Sequence, residues 1–341
     1  MNGDRVSAVE RSGLRCTRLA PSPTGALHLG NARTFLATWA MARQRGWRVV
    51  LRVEDLDTPR VKPGVIDLTI DLLAWLGMDW DDGPTVQSRD LEPYYEAMRT
   101  LASRGMTYPS AANRGVVGAG VGGGAAGDDG ASAPQQGSQE AHFGRENRPR
   151  EMPSEFRTGS NARAAEDHAE AWRFATPDGE IAFDDAFAGA QRWTPSVTVG
   201  DFIIWTKRNQ PAYQLAVVVD DHAQHVTDVV RGDDLLDSAA RQLMLSRALG
   251  YAPEPTYWHL PLVVGEDGRR LAKRHGDTRL DVYRAKGARS ERVIGLVAYW
   301  CGVTTERREF SAIEFREALR VVSIPKEPIT FRREDDQWLL G

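Results

Sequence analysis

The stretch Arg18-Leu19-Ala20-Pro21-Ser22-Pro23-Thr24-Gly25-Ala26-Leu27-His28-Leu29-Gly30-Asn31 decides how the chain is read. A short apolar run, Cys16 to Ala20, stops at Pro21, and the loop PSPTG turns sharply. Helix-period apolar residues (Phe35, Leu36, Trp39, Ala40) then run from Gly30 to Arg45, with Gly46 as C-cap. Trp47 to Val53 is β-branched and apolar, the pattern of a buried strand. A helix that begins just after such a turn offers unpaired N–H groups and a positive dipole end, which suits phosphate. Gly30 lets a nucleotide approach the backbone. His28, just ahead of the helix, has a ring N–H to donate to a phosphate oxygen. H-x-G alone fits an incidental histidine equally well, but the full run is more specific.

Outward from this stretch, Pro63-Gly64 opens a second helix running to Leu76, closed by Gly77, and Pro93 to Arg104 forms a third. Alternating strands and helices point to an α/β fold, a parallel sheet covered by helices. Further on, Asp201 to Lys207 and Ala212 to Val219 flank Asn209-Gln210-Pro211, and the pattern predicts a hairpin. Val226 to Val230 is a strand. Asp233 and Asp234 are N-cap candidates for a helix to Leu249, closed by Gly250. Leu260 to Val264 is a strand feeding the basic loop Gly265 to Thr278, and the rest, to about Leu319, is helical. One segment stands apart. From Ser110 to Ala141, Gly and Ala supply 17 of 32 residues, with no Leu, Ile or aromatic. Too little apolar surface is available there to offset ordering entropy, so disorder is expected, continuing to about Ala169.

Composition bounds the rest. At about 150 residues per domain, 341 residues suggest two domains. The net charge of −4 gives no global footprint of a non-specific nucleic-acid binder, though a local patch remains compatible with it. No apolar run reaches the roughly 18 residues of a membrane span. The N-terminal MNGDRVSAVERSG lacks the apolar core of a secretory signal. Two cysteines, Cys16 and Cys301, exclude a disulfide framework and a multi-thiolate zinc site. They are expected as buried small hydrophobes. A cytoplasmic protein without membrane contact is expected.

The run from Pro21 to Asn31 resembles the HIGH signature of class I aminoacyl-tRNA synthetases. Together with LRVEDLDTPR it resembles their glutamyl branch. Far downstream, Arg270-Leu271-Ala272-Lys273-Arg274 resembles KMSKS, with Ala272 in place of the serine and Lys273 standing as the second lysine. Pro211 to Asp221 and Val230 to Leu236 resemble the family's amino-acid and ribose pockets. The resemblance implies a Rossmann-like parallel sheet with an inserted subdomain and a short helical C-terminal part. It implies ATP with Mg2+ carried on the nucleotide, bound at His28, Gly30, Asn31 and Lys273. His28 and Lys273 would be catalytic, the lysine by stabilising charge on the α-phosphate and leaving pyrophosphate. For L-glutamate it implies Arg231 on the side-chain carboxylate, Tyr213 offering a hydroxyl, Glu54 on the α-ammonium, and Arg18 with the Leu19, Ala20, Pro21, Ser22 backbone lining the pocket. By themselves, Glu54 also fits an acidic surface cluster with Asp55 and Asp57, and Arg231 a structural ion pair. Their order along the chain favours the pocket.

The implied organisation is a flexible N-terminus at 1–13, a first catalytic half at 14–108, an insertion at 109–195, a second catalytic half at 196–264 and the KMSKS-like loop with helical tail at 265–341. Little chain follows Arg274, where full glutamyl enzymes carry an anticodon-binding region. That resembles the truncated members of the branch. They activate glutamate without tRNA and esterify the queuosine base in the anticodon of tRNA(Asp). A monomer is expected. Family members often hold zinc through C-x-C in the insertion. Here those positions read Ser110 and Ala112, so no structural zinc is expected. The charged run Arg145 to Arg150 is expected to be solvated. Asp220-Asp221-His222 with His225 offers possible metal ligands, but at His-x2-His spacing rather than the His-x3-His of a zinc helix. Structural histidines are the expectation there. Rival functions are a minimal glutamyl-tRNA synthetase charging tRNA(Glu), an adenylating ligase with a non-tRNA acceptor, and an inactive paralogue serving as a binding module.

Overall fold

The computed structural model describes residues 15–24, 27–110, 142–157, 170–269, 271 and 278–341. In chain order the strands are β1 (Cys16–Leu19), β2 (Arg48–Val53), β3 (Asp82–Val86), β4 (Thr107–Ser110), β5 (Ala171–Phe174), β6 (Ile181–Asp185), β7 (Gly189–Trp193), β8 (Phe202–Trp205), β9 (Asp228–Gly232), β10 (Thr256–Leu260), β11 (Val263–Val264) and β12 (Ile329–Thr330). The helices are α1 (Leu29–Arg45), α2 (Val65–Trp75), α3 (Glu92–Ser103), α4 (Pro195–Thr198), α5 (Tyr213–Ala223), α6 (Leu236–Leu249), α7 (Leu280–Ala285), α8 (Ser290–Trp300), α9 (Ala312–Ala318) and α10 (Arg333–Leu340). None of the described helices is long and apolar enough to cross a membrane.

Five parallel strands form the main sheet in the order β10-β9-β1-β2-β3. Helix α1 links β1 to β2, and Gly46 ends it at φ +64°. Strand β1 has β2 on one side and β9, from far along the chain, on the other. In open α/β sheets the ligand crevice lies beyond the strand C-termini where the order reverses in this way. Leu19, Leu36, Val49, Leu51 and Val230 share one core with the C-terminal helices, through Val297, Phe315 and Leu339. Both cysteines are buried.

The expected hairpin over 201–219 is corrected. Phe202–Trp205 is a strand, but Tyr213 to Ala223 is a helix. Tyr213 to Val219 is buried on every side, so no polar face marks the helical period. The apolar run then reads like a buried strand. The strand expected over Leu260 to Val264 divides at Pro261 into β10 and β11, the second pairing with β12.

Strands β4, β5 and β8 form a separate antiparallel sheet. Expected disorder across 110–169 is corrected for 142–157, while 111–141 and 158–169 lie outside the described residues, as does 1–13. Phe143 and Phe156 are buried. Phe156 packs among Tyr95, Trp172 and Trp205, and the Arg173 guanidinium lies 3.8 Å from the Phe143 ring centre. At Gly200, φ is +73° and a Cβ would stand 2.2 Å from the Phe143 carbonyl oxygen, so only glycine fits. Asp201 gathers this region. Its carboxylate accepts from Tyr108 at 2.6 Å, from Arg148 at 2.6 and 2.5 Å, and from the Thr176 N–H at 2.9 Å. Arg148, expected to be solvated, is thus part of the structure, and Arg145 pairs with Asp178. Removing a carboxylate that is 1% exposed leaves its donors unpaired. Asp201→Ala is expected to lower unfolding free energy by about 3 kcal/mol, measured by urea denaturation.

Candidate functional site

The C-terminal ends of β1, β2 and β9 and the start of α5 converge at the reversal point. Strand β1 delivers Arg18 and continues into Ala20-Pro21-Ser22. The Glu54 N–H donates to the Pro21 carbonyl at 3.0 Å, which sets the end of β2 against that loop. Arg52, 1% exposed, lies beneath the pocket. Its Nη1 donates to Asp221 and Gln224, both at 2.8 Å, and its Nη2 to Glu54 at 3.1 Å. Asp220 stands 3.6 Å from its Nε. Arg18 Nε donates to Asp221 at 3.3 Å and its Nη1 to the Val230 carbonyl at 3.2 Å. Asp220 accepts from Tyr94 at 2.9 Å and from Gln87 at 2.6 Å.

Burial and charge oppose each other here. Burial pushes the Asp221 carboxyl up, but Arg52 and Arg18 outweigh it and hold the group below its ordinary value. At Glu54 burial wins: the pKa is raised despite Arg52 and Arg18. Burial also raises the Tyr213 hydroxyl, which lies within electrostatic reach of Arg231, Glu54 and Arg18. Arg231 differs from the other two arginines. Its Nε donates to His259 Nε2 at 2.9 Å, its Nη1 to Gln242 at 2.8 Å and its Nη2 to the Leu235 carbonyl at 3.2 Å. None of these acceptors is a carboxylate.

Beside this pocket lies the start of α1. His28 is its N-cap, and the His28 N–H donates to Asn31 Oδ1 at 3.1 Å. Asn31 therefore caps its own helix. His28 Nδ1 lies 3.2 Å from Thr278 Oγ1, and the Leu29 N–H donates to the Thr278 carbonyl at 3.0 Å. Leu280 N–H donates to the Leu27 carbonyl, and Leu271 N–H to the Val263 carbonyl. The Thr278 end of the basic loop is thus tied to the turn that carries His28, while Leu271, within the loop, is tied to β11. Arg270, Ala272, Lys273 and Arg274 lie outside the described residues. A Cβ on Gly30 would meet only Val263, at 3.9 Å, so packing does not require glycine there. At Gly232 a Cβ would meet Asp234 Oδ1 at 2.6 Å and Leu262 Cδ2 at 2.8 Å, so those two side-chain ends would have to shift to admit it.

Arg18, Glu54 and Arg231 all lie within electrostatic reach of Tyr213, while His28, Gly30 and Asn31 stand at the start of α1. Glu54 is not part of a surface cluster. Asp55, its neighbour, caps Ser88 instead. Arg52, Asp221, Gln242, His259 and Asp185 were not singled out from the sequence for these contacts. A charged residue inside an apolar strand, such as Arg52 in RVVLRV, is the one local signal that pointed to them. Asp220 and Asp221 lie near the end of a helix and face Arg52, not between strands. His222 stacks on Tyr251 at 3.8 Å. Among the described residues, no group of three or more His, Cys, Asp or Glu side chains is placed to hold a metal ion.

The family model for tRNA synthetases class I (E and Q), catalytic domain, matches residues 16–122 and 123–338. A glutamyl-Q tRNA(Asp) synthetase of Symbiobacterium thermophilum is 42% identical, over 96% of this chain and 98% of that protein. One from Rhodopirellula baltica is 44% identical, over 84% of each chain. The crystal structure of glutamate-tRNA synthetase from Elizabethkingia anophelis superposes with a TM-score of 0.73 at 25% identity, covering 96% of this chain and 70% of that one.

The raised Glu54 pKa fixes a sign. An acid that binds its proton more tightly when folded costs stability wherever it is charged. Glu54→Gln is therefore expected to raise the melting temperature of the ligand-free protein at neutral pH. Arg52 keeps Asp220 and Asp221 in that variant. The difference should start to shrink as pH falls through the raised folded pKa and be lost below the 4.5 of an ordinary glutamate. Melting curves across that range, by circular dichroism, check it.

Proposed function

Because the chain belongs to the class I tRNA synthetases that serve glutamate and glutamine, we propose that this ligase activates L-glutamate with ATP, without tRNA, and passes it to queuosine in the anticodon of tRNA(Asp). The observation that carries the substrate is Arg231. A buried guanidinium with only uncharged acceptors, facing the same pocket as Glu54, suits an amino acid with a carboxylate side chain and an ammonium group. Arg231 pairs with the side-chain carboxylate. Glu54 takes the α-ammonium, Tyr213 donates its hydroxyl, and Arg18 with the Leu19 to Ser22 backbone shapes the wall.

The start of α1 receives ATP, with His28 donating to phosphate and Gly30 leaving room for the nucleotide. In the first step a glutamate α-carboxylate oxygen attacks the α-phosphorus, and pyrophosphate leaves. In the second a hydroxyl of the modified base attacks the activated carbonyl, and AMP leaves. No side chain becomes a covalent nucleophile, so positioning and charge stabilisation supply the acceleration. Lys273 offsets charge at the α-phosphate and pyrophosphate. Thr278, the end of its loop, is tied to the start of α1, which supports that role. Mg2+ arrives with ATP. Ser110 offers a hydroxyl where a zinc thiolate would stand, which argues against a zinc stem. The acceptor rests on relatives that bear the glutamyl-Q name and match this chain almost end to end.

Glutamate-dependent ATP–pyrophosphate exchange is expected with no tRNA present, and not with glutamine or aspartate. Exchange only after tRNA(Glu) is added would instead mark a minimal glutamyl-tRNA synthetase. Absence of exchange in both conditions would mark a binding module. With glutamate activation established, labelled glutamate should enter queuosine-containing tRNA(Asp) and leave unmodified tRNA(Asp) uncharged. Lys273→Ala should cut the exchange rate by about a hundredfold or more with little change in glutamate affinity.

A further inference from the structure

The hairpin β6–β7 lies against the outer strand of the main sheet. The Ala186 N–H donates to the Tyr257 carbonyl at 2.8 Å, and Asp185, the last residue of β6, enters beside β10. There its carboxylate is 3% exposed and His259 is 1% exposed. His259 Nδ1 lies 2.6 Å from Asp185 Oδ2, and the His259 backbone N–H also donates to that carboxylate at 3.2 Å. The N–H groups of Phe187 and Ala188 donate to Asp185 Oδ1 at 2.9 and 2.6 Å. Asp185 is thereby fixed in place by the backbone of its own turn.

A guanidinium has only donors, so the contact from Arg231 Nε requires a lone pair on His259 Nε2. The proton must then sit on Nδ1, where Asp185 accepts it. This second hydrogen bond selects the tautomer, as outer partners do for histidines that ligate metals or orient a nucleophile. Burial, reinforced by Arg231, lowers the His259 pKa to about 4, so the ring is neutral at working pH. The other tautomer would set two N–H groups against each other. Gln242 holds Arg231 from a second side and is itself fixed, its Nε2 donating to Gln214 at 3.1 Å.

We propose that Asp185 and His259 are positioning residues for amino-acid selection: Asp185 fixes the His259 tautomer, and His259 fixes the Arg231 fork with an uncharged acceptor. The aim is rigidity without neutralisation. A carboxylate in place of His259 would hold the fork as firmly but would cancel the charge that distinguishes a substrate carboxylate from an amide. The proposal rests on the reading of Arg231 as the glutamate side-chain contact.

The test is exchange kinetics on His259→Leu, His259→Gln, Asp185→Asn and Arg231→Gln, with KM measured separately for glutamate and ATP. His259→Leu should raise KM for glutamate about tenfold or more and leave KM for ATP within about twofold. His259→Gln, which returns an acceptor near Nε2, should recover most of that loss. Asp185→Asn should fall between the two. An unchanged KM for glutamate in His259→Leu and Asp185→Asn, equal shifts in both KM values, or no recovery with His259→Gln would each overturn the proposal. If His259→Leu does not fold, the KM split in Asp185→Asn decides alone. Arg231→Gln separates the two levels. No effect there would sink the pocket reading itself, whereas a large effect there beside silent His259 and Asp185 variants sinks only the positioning role.

Discussion

The site depends on keeping Arg52 charged and buried. Removing such a group from water costs several kcal/mol unless partners surround it. Asp221, Asp220 and Glu54 do so from two elements far apart in sequence, β2 and α5. Their combined pull outweighs burial and raises the Arg52 pKa. The same pairs fix where α5 sits, because Asp221 also accepts from Arg18 on β1. Tyr213 at the head of α5 is positioned as a consequence. Glu54 is left the least comfortable member, its carboxylate desolvated more than it is compensated. On the proposed reading, an ammonium group arriving beside it would relieve that imbalance, and Arg231, which has no carboxylate among its hydrogen-bond acceptors, would meet the negative end of the substrate.

This division of labour accounts for three buried arginines in one small space. Arg52 and Arg18 are neutralised by carboxylates of the protein and act as structure. Arg231 donates to His259, Gln242 and a backbone carbonyl, none of them a carboxylate, which is why the proposed reading reserves it for a ligand. The nucleotide side is built differently. There the tie between the start of α1 and Thr278 brings the end of a long basic loop beside His28.

Local signals made part of this legible. The strand from Cys16 and the helix to Arg45 follow from apolar period and the Gly46 cap, and the buried strand after it from its β-branched run. The pocket residues Arg18, Glu54, Tyr213 and Arg231 came from family resemblance, not from period or spacing. Helix α5 was misread because it is buried on all sides and its three consecutive valines favour a strand. Arg52–Asp221 and His259–Asp185 join residues 169 and 74 positions apart, and neither pair leaves any mark on periodicity. Composition alone assigns residues 142–157 to the disordered stretch, because they are polar and charged. A few anchors, Phe143, Phe156 and Arg148, order them against a sheet that the sequence pattern did not reveal.

On the proposed reading, Arg231, hydrogen-bonded to no carboxylate, and the desolvated Glu54 together select a dicarboxylic amino acid. A crystal structure with L-glutamate bound tests it most directly. The account places the side-chain carboxylate within about 3 Å of the Arg231 guanidinium and the α-ammonium at the same distance from Glu54, with the His259 contact to Arg231 intact. Glutamate bound with its side chain away from Arg231, or with its ammonium group away from Glu54, would contradict it.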